Sequence, residues 1–299
     1  MSTLIESRTS RERFSERLLE GSAKTSYEPI VDIDWDAALD PDKYYISPKF
    51  ISLYGTPMWD AMTRAQRIDL SRQELVNTMS AAINFENMLN QALLRKLMHD
   101  DPSSRETRYA LTELGDEARH MVMFGTFIEH VGATAVRLPL LFRMIANVIP
   151  LVLRGSILWV VALVGEEILD AIQRQTICDP DIQPIVQRVM RIHVTEEARH
   201  IQFARDGLRR RIQPMPRYKK WLLANIAWMV AFLFAAPFNS PVPYARAGLD
   251  ARAALKQVRA NPHFHEVRVS GFSPLATFLT EVGLMGPIAR HGWKACKFL

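Results

Sequence analysis

The stretch Asp116-Glu117-Ala118-Arg119-His120 returns 80 residues later as Glu196-Glu197-Ala198-Arg199-His200. Each copy contains Glu-x-x-His. Residues i and i+3 of an α-helix lie on one face, so each copy directs a carboxylate and an imidazole to the same side. Each copy therefore predicts a two-ligand metal chelate on a helix.

A single glutamate precedes each chelate in the same register. The offset of 80 residues takes Glu86 to Glu166, and each of them lies 31 residues before its Glu-x-x-His glutamate. Two helices with one Glu each and two with Glu-x-x-His form the ligand set of a carboxylate-bridged two-metal site in a four-helix bundle. The alternative for one copy alone is a solvated helix face with an i, i+3 pair. Two copies in register favour the metal site.

Apolar residues around the first copy recur with a period close to 3.6, which places Glu117 and His120 at the apolar stripe of the helix. Buried carboxylates are costly unless they are paired or bound to a metal. The pattern therefore predicts a cation bound beside these residues.

Composition indicates a large helical protein. The chain has 299 residues, of which 48% are hydrophobic and 23% charged, and no alternating strand-like runs stand out. We predict an all-α fold, a ferritin-like four-helix bundle with additional flanking helices. Its core helices would cover about residues 63–99, 105–131, 156–177 and 182–212. We expect residues 1–62 to be an N-terminal arm that packs on the bundle, and residues 63–299 to be the ferritin-like di-iron domain with C-terminal extra helices.

Two further segments, 138–153 and 221–236, are strongly apolar. Both are shorter than the roughly 20 residues that cross a bilayer. We expect both to be helices buried against the bundle. Contact with a membrane surface stays open but is not favoured.

Charge and cysteine content suggest a cytoplasmic location. The net charge is +5, and the densest basic stretch, residues 209–220, is interpreted as a solvated helix end rather than a surface for nucleic acid. Cys178 and Cys296 cannot build a disulfide framework, and the N-terminus lacks a basic region followed by an apolar run. No nucleic-acid partner is expected.

The two halves differ at one chemically important position. The offset of 80 maps His193 onto Glu113, so His193, Glu197 and His200 lie along one helical stripe. The alternative is a core histidine that is hydrogen-bonded to a neighbour. Its place beside a chelate favours a third imidazole ligand.

The repeat register prefers Glu166 to its neighbour Glu167 as the ligand on the third core helix. Three other carboxylates are candidates to accept a hydrogen bond from a ligand histidine, as carboxylates next to metal sites often do: Asp116, Asp170 and Glu196. Arg119 and Arg199 either neutralise nearby carboxylates or form surface ion pairs.

The candidate ligands are carboxylates and imidazoles without a thiolate, a set that suits iron or manganese. Two ions bridged by Glu117 and Glu197 could bind and activate O2, which iron does more readily. The expected cofactor is a pair of iron ions, with manganese as the alternative.

Seven residues resemble the ligand set of the p-aminobenzoate N-oxygenase family of ferritin-like di-iron enzymes: Glu86, Glu117, His120, Glu166, His193, Glu197 and His200. In that family an extra histidine four residues before the last Glu-x-x-His is the seventh ligand, the position that His193 has here. The resemblance covers about residues 65–213 by motif. It implies a di-iron monooxygenase that uses O2 and two external electrons to oxidise an amine nitrogen towards hydroxylamine, nitroso or nitro products.

The resemblance also implies roles and partners. Glu117 and Glu197 would bridge the irons, Glu86 and His120 would serve one iron, and the remaining three ligands the other: Glu166, His193 and His200. No catalytic residue beyond the metal ligands is predicted. The expected partners are a small-molecule amine, O2, an electron donor or reductase, and a second copy of the chain in a homodimer.

Two alternatives remain open at this point. One is a di-iron hydroxylase or desaturase that attacks C–H bonds of a hydrophobic substrate, such as an acyl chain lying along residues 221–238. The other is a non-enzymatic, ferritin-like iron-binding protein. Ferritins use fewer imidazoles and shorter chains, so His193 and the long apolar C-terminal half disfavour this second alternative.

Overall fold

The regular secondary structure of the described residues is helical. The structure, a computed structural model, describes the backbone of residues 2–299 and the side chains of residues 10–299. Within this part of the chain the only β-type pairing is an isolated bridge between Tyr44 and Ile182. The α-helices described are α1 Ser2–Lys24, α2 Pro29–Asp32, α3 Pro57–Asp60, α4 Arg64–Leu97, α5 Arg105–His130, α6 Leu140–Val152, α7 Gly155–Ile177, α8 Pro184–Ile212, α9 Arg217–Ala235, α10 Val242–Arg246, α11 Ala251–Ala260, α12 Pro262–Glu281 and α13 Pro287–Ala295.

Four long helices, α4, α5, α7 and α8, form the central bundle, with α4 against α5 and α7 against α8. Their ends lie within a few residues of the predicted ones, and side-chain caps fix the starts of α4 and α5. Thr63 accepts a hydrogen bond from the Gln66 amide while the Gln66 side chain accepts one from the Thr63 amide, which is a complete capping box. At α5 the Ser104 hydroxyl accepts a hydrogen bond from the Thr107 amide, without the reciprocal bond. The predicted all-α four-helix bundle is confirmed.

Helix α1 packs across α5 and α8. Arg11 anchors it: the guanidinium lies 4.3 Å from the ring centroid of Phe203, donates to Glu106 at 3.1 Å and is paired with Asp206. The N-terminal region is therefore joined to the two helices that carry the Glu-x-x-His motifs. The division of the chain at residue 62 stays a prediction.

Helices α6 and α9 differ from expectation in their burial. Each has one buried or half-buried side, but its opposite side is exposed and apolar, as for Leu141 on α6 and Trp221 on α9. The expectation that both helices are buried against the bundle is thus wrong for their outer faces. The reason is that α6 lies on α4 and α9 lies on α7 and α13, while no described element covers their other sides.

The C-terminal helices complete the wall beside α7. Helix α12 packs on α7 and α13 packs on α9. Phe272 on α12 stacks on Phe298 with ring centroids 3.8 Å apart, and Trp293 meets both rings edge-on. This aromatic cluster holds the C-terminal segment against the bundle.

Candidate metal centre

The two repeated motifs meet in the middle of the bundle. Helix α5 contributes Glu117 and His120, and α8 contributes Glu197 and His200; each of the four is at most 1% exposed. His200 Nδ1 lies 3.1 Å from Glu117 Oε1, and His120 Nδ1 lies 3.3 Å from Glu197 Oε1. Each imidazole thus faces the carboxylate of the other helix as well as that of its own.

The outer nitrogen of each imidazole is held by the first residue of the opposite motif. His120 Nε2 donates to Glu196 Oε2 at 2.8 Å, and His200 Nε2 donates to Asp116 Oδ2 at 3.2 Å. These bonds leave both Nδ1 atoms facing the carboxylates in the centre. The prediction that Asp116 and Glu196 accept hydrogen bonds from the histidines is confirmed.

His193 lies beside Glu86 and His120. Its Nε2 is 3.6 Å from Glu86 Oε1 and 3.5 Å from Glu197 Oε1. Its ring centroid is 4.7 Å from that of His120. Possible ligand atoms cluster within 4.8 Å in two groups: Glu86 with His120 and His193, and Glu117 with Glu197 and His200.

This grouping differs from the one implied by the family resemblance, which associates His193 with Glu166 and His200. The physical reason is the position of His193 one helical turn before Glu197, where its Nε2 faces Glu86 on α4. Its Nδ1 is hydrogen-bonded to Gln173 Oε1 at 2.9 Å, on α7. The ring is therefore fixed with Nε2 towards the Glu86 side.

Glu166 faces the same interior space, whereas Glu167 does not. A cavity of about 30 Å³ is bordered by the carboxylates of Glu86, Glu117, Glu166 and Glu197 and by His193. Both oxygens of Glu166 are buried without a hydrogen-bond partner among the described residues. Glu167 instead pairs with Arg205, with 3.1 Å between Oε2 and Nε. Glu166 as a metal ligand remains a proposal.

Asp170 does not have the role that the sequence suggested. Its carboxylate accepts a hydrogen bond from Arg174 Nε at 2.7 Å, and the partner of His193 is Gln173. Sequence reasoning missed Gln173, although it lies seven residues after Glu166 and therefore on the same side of α7. That spacing is the signal that could have identified it.

Burial and the charges of neighbouring groups shift the pKa values of the carboxyls in the centre. Burial, with the negative charges of Glu117 and Glu197 added, raises the pKa of Glu86 and Glu166 well above the usual range. Burial also opposes ionisation of Glu197, but His200 and His193 bring its pKa well below the usual value. The centre thus concentrates carboxylates that need cations between them.

Glu113, the counterpart of His193 in the first half, is also buried. Burial raises its pKa to about 8, and one of its oxygens has no hydrogen-bond partner among the described residues. The alignment of the two halves of the sequence paired Glu113 with His193 but assigned Glu113 no role.

The residues present fit a pair of metal ions. Their buried, unpartnered atoms are lone-pair donors, which is the arrangement that coordination would satisfy: Glu86 Oε2, both oxygens of Glu117, His120 Nδ1, both oxygens of Glu166, Glu197 Oε2 and His200 Nδ1. Carboxylates and imidazoles without thiolate suit iron and manganese. The predicted cofactor, two iron ions with manganese as the alternative, is therefore consistent with the site.

The cavity of about 30 Å³ between the candidate ligands is called the metal-lining cavity. A larger, mainly apolar cavity of about 170 Å³ adjoins it. The two share five wall residues: Thr78, Leu169, Gln173, Met190 and Phe234. Polar groups in the wall of the larger cavity include Glu74, Tyr244 and Arg268. It is called the substrate cavity below, after the role proposed for it under the proposed function.

The sequence signature of the family described as P-aminobenzoate N-oxygenase AurF matches residues 8–283. The chain belongs to the AurF family. The resemblance drawn from seven residues is thereby confirmed, and the match extends beyond the motif region at both ends. Membership in the AurF family, together with the buried ligand groups, identifies the chain as a non-haem di-metal oxygenase or oxidase with a ferritin-like fold.

Mycobacterial relatives of this AurF-family chain cover nearly all of it. Uncharacterized protein MT0908 of Mycobacterium tuberculosis (strain CDC 1551) and Uncharacterized protein Mb0909 of Mycobacterium bovis (strain AF2122/97) are each 30% identical over 290 residues. The match covers 94% of this chain and 85% of either relative.

Two solved structures are also similar, both variants of an R2-like ligand-binding oxidase. The variant with a non-activated Mn/Mn cofactor has a TM-score of 0.48 at 16% identity, covering 87% of this chain and 92% of that one. The variant with an aerobically reconstituted Mn/Fe cofactor has a TM-score of 0.40 at 15% identity, covering 96% and 91%.

Proposed function

We propose that this protein is a di-iron monooxygenase that transfers an oxygen atom from O2 to the amine nitrogen of a small metabolite. The observation that carries the proposal is the place of His193 in a chain of the AurF family: its Nε2 faces Glu86 and Glu197, and its ring lies beside His120. His193 would thus be the third imidazole in a ligand set that also contains four glutamates.

The reaction would balance as a monooxygenation. One oxygen atom forms the new N–O bond, and the other leaves as water after an external donor supplies two electrons and two protons. When bound, the iron pair would supply the activation of O2. The protein would hold the ions through the seven ligands and fix the imidazoles through Asp116, Glu196 and Gln173.

The volume of the substrate cavity favours a substrate about the size of a single ring. Its volume is about 170 Å³, and an engineered apolar cavity of about 150 Å³ is known to bind benzene. Apolar walls formed by residues such as Leu169 and Met190 would exclude water from the reacting nitrogen.

Arg268 favours a substrate that carries an acidic group. Arg268 is a wall residue of the substrate cavity, its guanidinium lies 4.9 Å from the ring centroid of Phe298, and no ion pair of the described side chains includes it. Burial lowers its pKa, a sign that the charge is partly removed from water. A carboxylate on the substrate would relieve this cost through a bidentate ion pair. An aromatic amine that carries a carboxylate is thus the favoured substrate class.

The test is product analysis under ¹⁸O2. Protein loaded with Fe²⁺ is supplied with a chemical reductant and p-aminobenzoate, and the products are identified by mass spectrometry. We expect one ¹⁸O atom on nitrogen. Glu117→Ala, which removes a predicted bridging ligand, is the inactive control. Labelled oxygen on ring carbon, or no oxidised amine from a loaded protein, would count against the proposal.

A second candidate function is oxidation of C–H bonds. An apolar groove of about 280 Å³ runs between α6 and α9 and is lined by Phe142, Ile149, Val230 and Leu233. Phe85 and Phe234 separate it from the metal-lining cavity and belong to the walls of both. An acyl chain in this groove would approach the metals from that side. Oxidation of a fatty acid in place of the amine would favour this hydroxylase or desaturase.

A further inference from the structure

Helices α6 and α9 turn their apolar residues outward. On α6 the exposed apolar residues recur with helical spacing: Leu140, Leu141, Met144, Val148, Leu151 and Val152. On α9 the corresponding residues are Tyr218, Trp221, Leu222, Met229, Phe232 and Leu233. Their exposures range from 43% to 70%. A helix on the surface of a water-soluble protein normally shows the opposite pattern, with polar residues outward. We call these twelve residues the α6/α9 face.

The two sides of this face border one groove. The apolar groove of about 280 Å³ has Phe142 and Ile149 of α6 on one side, and Val230 and Leu233 of α9 on the other. The outward stripes therefore flank a common opening. Exposed apolar residues grouped on both sides of one groove are typical of an interaction site.

The two stretches of sequence that contain α6 and α9 have basic residues but no acidic ones. Residues 131–165 contain three Lys or Arg and residues 207–249 contain seven, and neither segment contains Asp or Glu. Three of the seven, Arg209–Arg211, belong to α8, and Arg210 is paired with Asp206. The rest of the chain has 27 Lys or Arg against 32 Asp or Glu, so its net charge is negative. Arg143, Arg154 and Lys219 are exposed, and no ion pair of the described side chains includes them. Arg143 lies on α6 and Lys219 on α9, so exposed cations occur on the same two helices that carry the apolar residues.

We propose that the α6/α9 face binds the surface of an anionic lipid bilayer, with α6 and α9 lying in the interface. An apolar helix face edged by Lys and Arg, with an aromatic residue such as Trp221 among the apolar ones, is the pattern of interfacial membrane binding. A second copy of the chain fits this face less well, because its cations would then meet their own copies.

Helix α9 lies on the membrane rather than crossing it. The segment Arg217–Arg246 is long and apolar enough to span a bilayer by length and composition alone. Yet its inner residues are buried against the protein: Leu223, Ala224, Ala227, Ala231 and Ala235. A transmembrane position would remove these contacts with α7 and α13. Interfacial binding keeps them and buries only the outer side.

Vesicle flotation tests this proposal without turnover, so its outcome is independent of the N-oxygenase proposal. Full-length protein is mixed with vesicles of phosphatidylcholine alone, or of phosphatidylcholine and phosphatidylglycerol in equal parts. We expect the protein to float with the anionic vesicles, to bind the neutral ones at least tenfold more weakly, and to be released by high salt. Absence of binding to the anionic vesicles by folded protein would overturn the proposal.

Two variants separate the apolar and the charged contribution. Leu141→Gln combined with Trp221→Gln, and Arg143→Glu combined with Lys219→Glu, should each lower binding at least tenfold. The matched controls are Leu94→Gln with Val122→Gln, and Arg252→Glu with Lys256→Glu, which change exposed residues elsewhere. They should bind like the unmodified protein.

Circular dichroism confirms the folding of each variant, and analytical ultracentrifugation gives its oligomeric state. A dimer that dissociates in the apolar double variant, with no vesicle binding by the parent, would show that the face joins two copies instead. Equal loss of binding in the variants and their controls would also overturn the proposal.

Discussion

Glu196 on α8 accepts a 2.8 Å hydrogen bond from His120 on α5, while Asp116 on α5 accepts one from His200 on α8. The residue that opens each repeated pentapeptide therefore orients the histidine that closes the other one. Glu196 is itself held by the Tyr27 amide at 3.2 Å, and Asp116 is paired with Arg119. The two motifs form one interlocked unit, and neither chelate is fixed by its own helix alone.

Replacing the outer carboxylate should weaken metal binding without unfolding the protein. In Glu196→Ala the His120 ring loses the partner that sets its orientation and its tautomer, so we expect Fe²⁺ affinity to fall about 10- to 100-fold. Competition with a chromophoric chelator measures this, and circular dichroism checks the helices. Glu129→Ala, an exposed change on α5, should bind iron normally. Unchanged affinity in Glu196→Ala would show that the hydrogen bond is incidental.

His193 should be required for full metal occupancy. We expect His193→Ala to retain its helices but to bind about one metal ion per chain instead of two, because the group formed by Glu86, His120 and His193 loses one of its three donors. Elemental analysis after removal of excess Fe²⁺ measures the ratio. The exposed His99→Ala is the control with two ions. Two tightly bound ions in His193→Ala would remove this residue from the ligand set.

Substitutions of Glu166 and Glu167 should have different effects on stability and on metal binding. Without metal, Glu166→Gln should stabilise the protein, by about 1–2 kcal/mol, because it removes a buried carboxyl whose ionisation is unfavourable. Glu167→Gln should change the stability by less than about 1 kcal/mol, because the burial that raises the pKa of Glu167 and the half-exposed Arg205 ion pair have opposing effects. Only the Glu166 variant should lose metal. Urea unfolding and elemental analysis test both, and the reverse order would contradict the proposed ligand.

Gly165 should be needed for the wall of the metal-lining cavity. A Cβ at this position would lie 1.9 Å from the Phe85 ring, so Gly165→Ala must displace the ring that separates the cavity from the α6/α9 groove. We expect a loss of about 1–3 kcal/mol in the free energy of unfolding. Gly125→Ala, where a Cβ meets nothing within 4 Å, should instead stabilise helix α5 by up to about 1 kcal/mol. A stable Gly165→Ala protein would show that Phe85 moves freely.

Glu74 should make stability depend on pH. Burial raises its pKa from 4.5 to about 7, and the folded state therefore holds the proton more tightly than the unfolded state. This contribution to stability is complete below about pH 4.5 and is lost as the pH rises through about 7. Glu74→Gln should flatten the decline of the unfolding free energy over this range. The exposed Glu281→Gln should leave it unchanged, and identical profiles for all three proteins would contradict the prediction.

The sequence pattern alone was sufficient to predict the parts of the structure that depend on local geometry. Glu-x-x-His fixes two side chains on one helix face whatever the rest of the protein does, and the offset of 80 residues pointed to Glu86 and Glu166 because each half repeats the same helix pair. Capping residues such as Thr63 determine helix ends through bonds over three residues. The bundle and the family resemblance followed from these signals.

Only the tertiary structure could decide how the helices are rotated against each other. The crossed bond of His120 to Glu196 joins residues 76 positions apart, and the choice of Gln173 over Asp170 depends on which side of α7 faces α8. The same rotation groups His193 with Glu86 and leaves the apolar sides of α6 and α9 uncovered. Hydrophobic periodicity shows that a helix has an apolar face, but packing alone determines whether anything covers it.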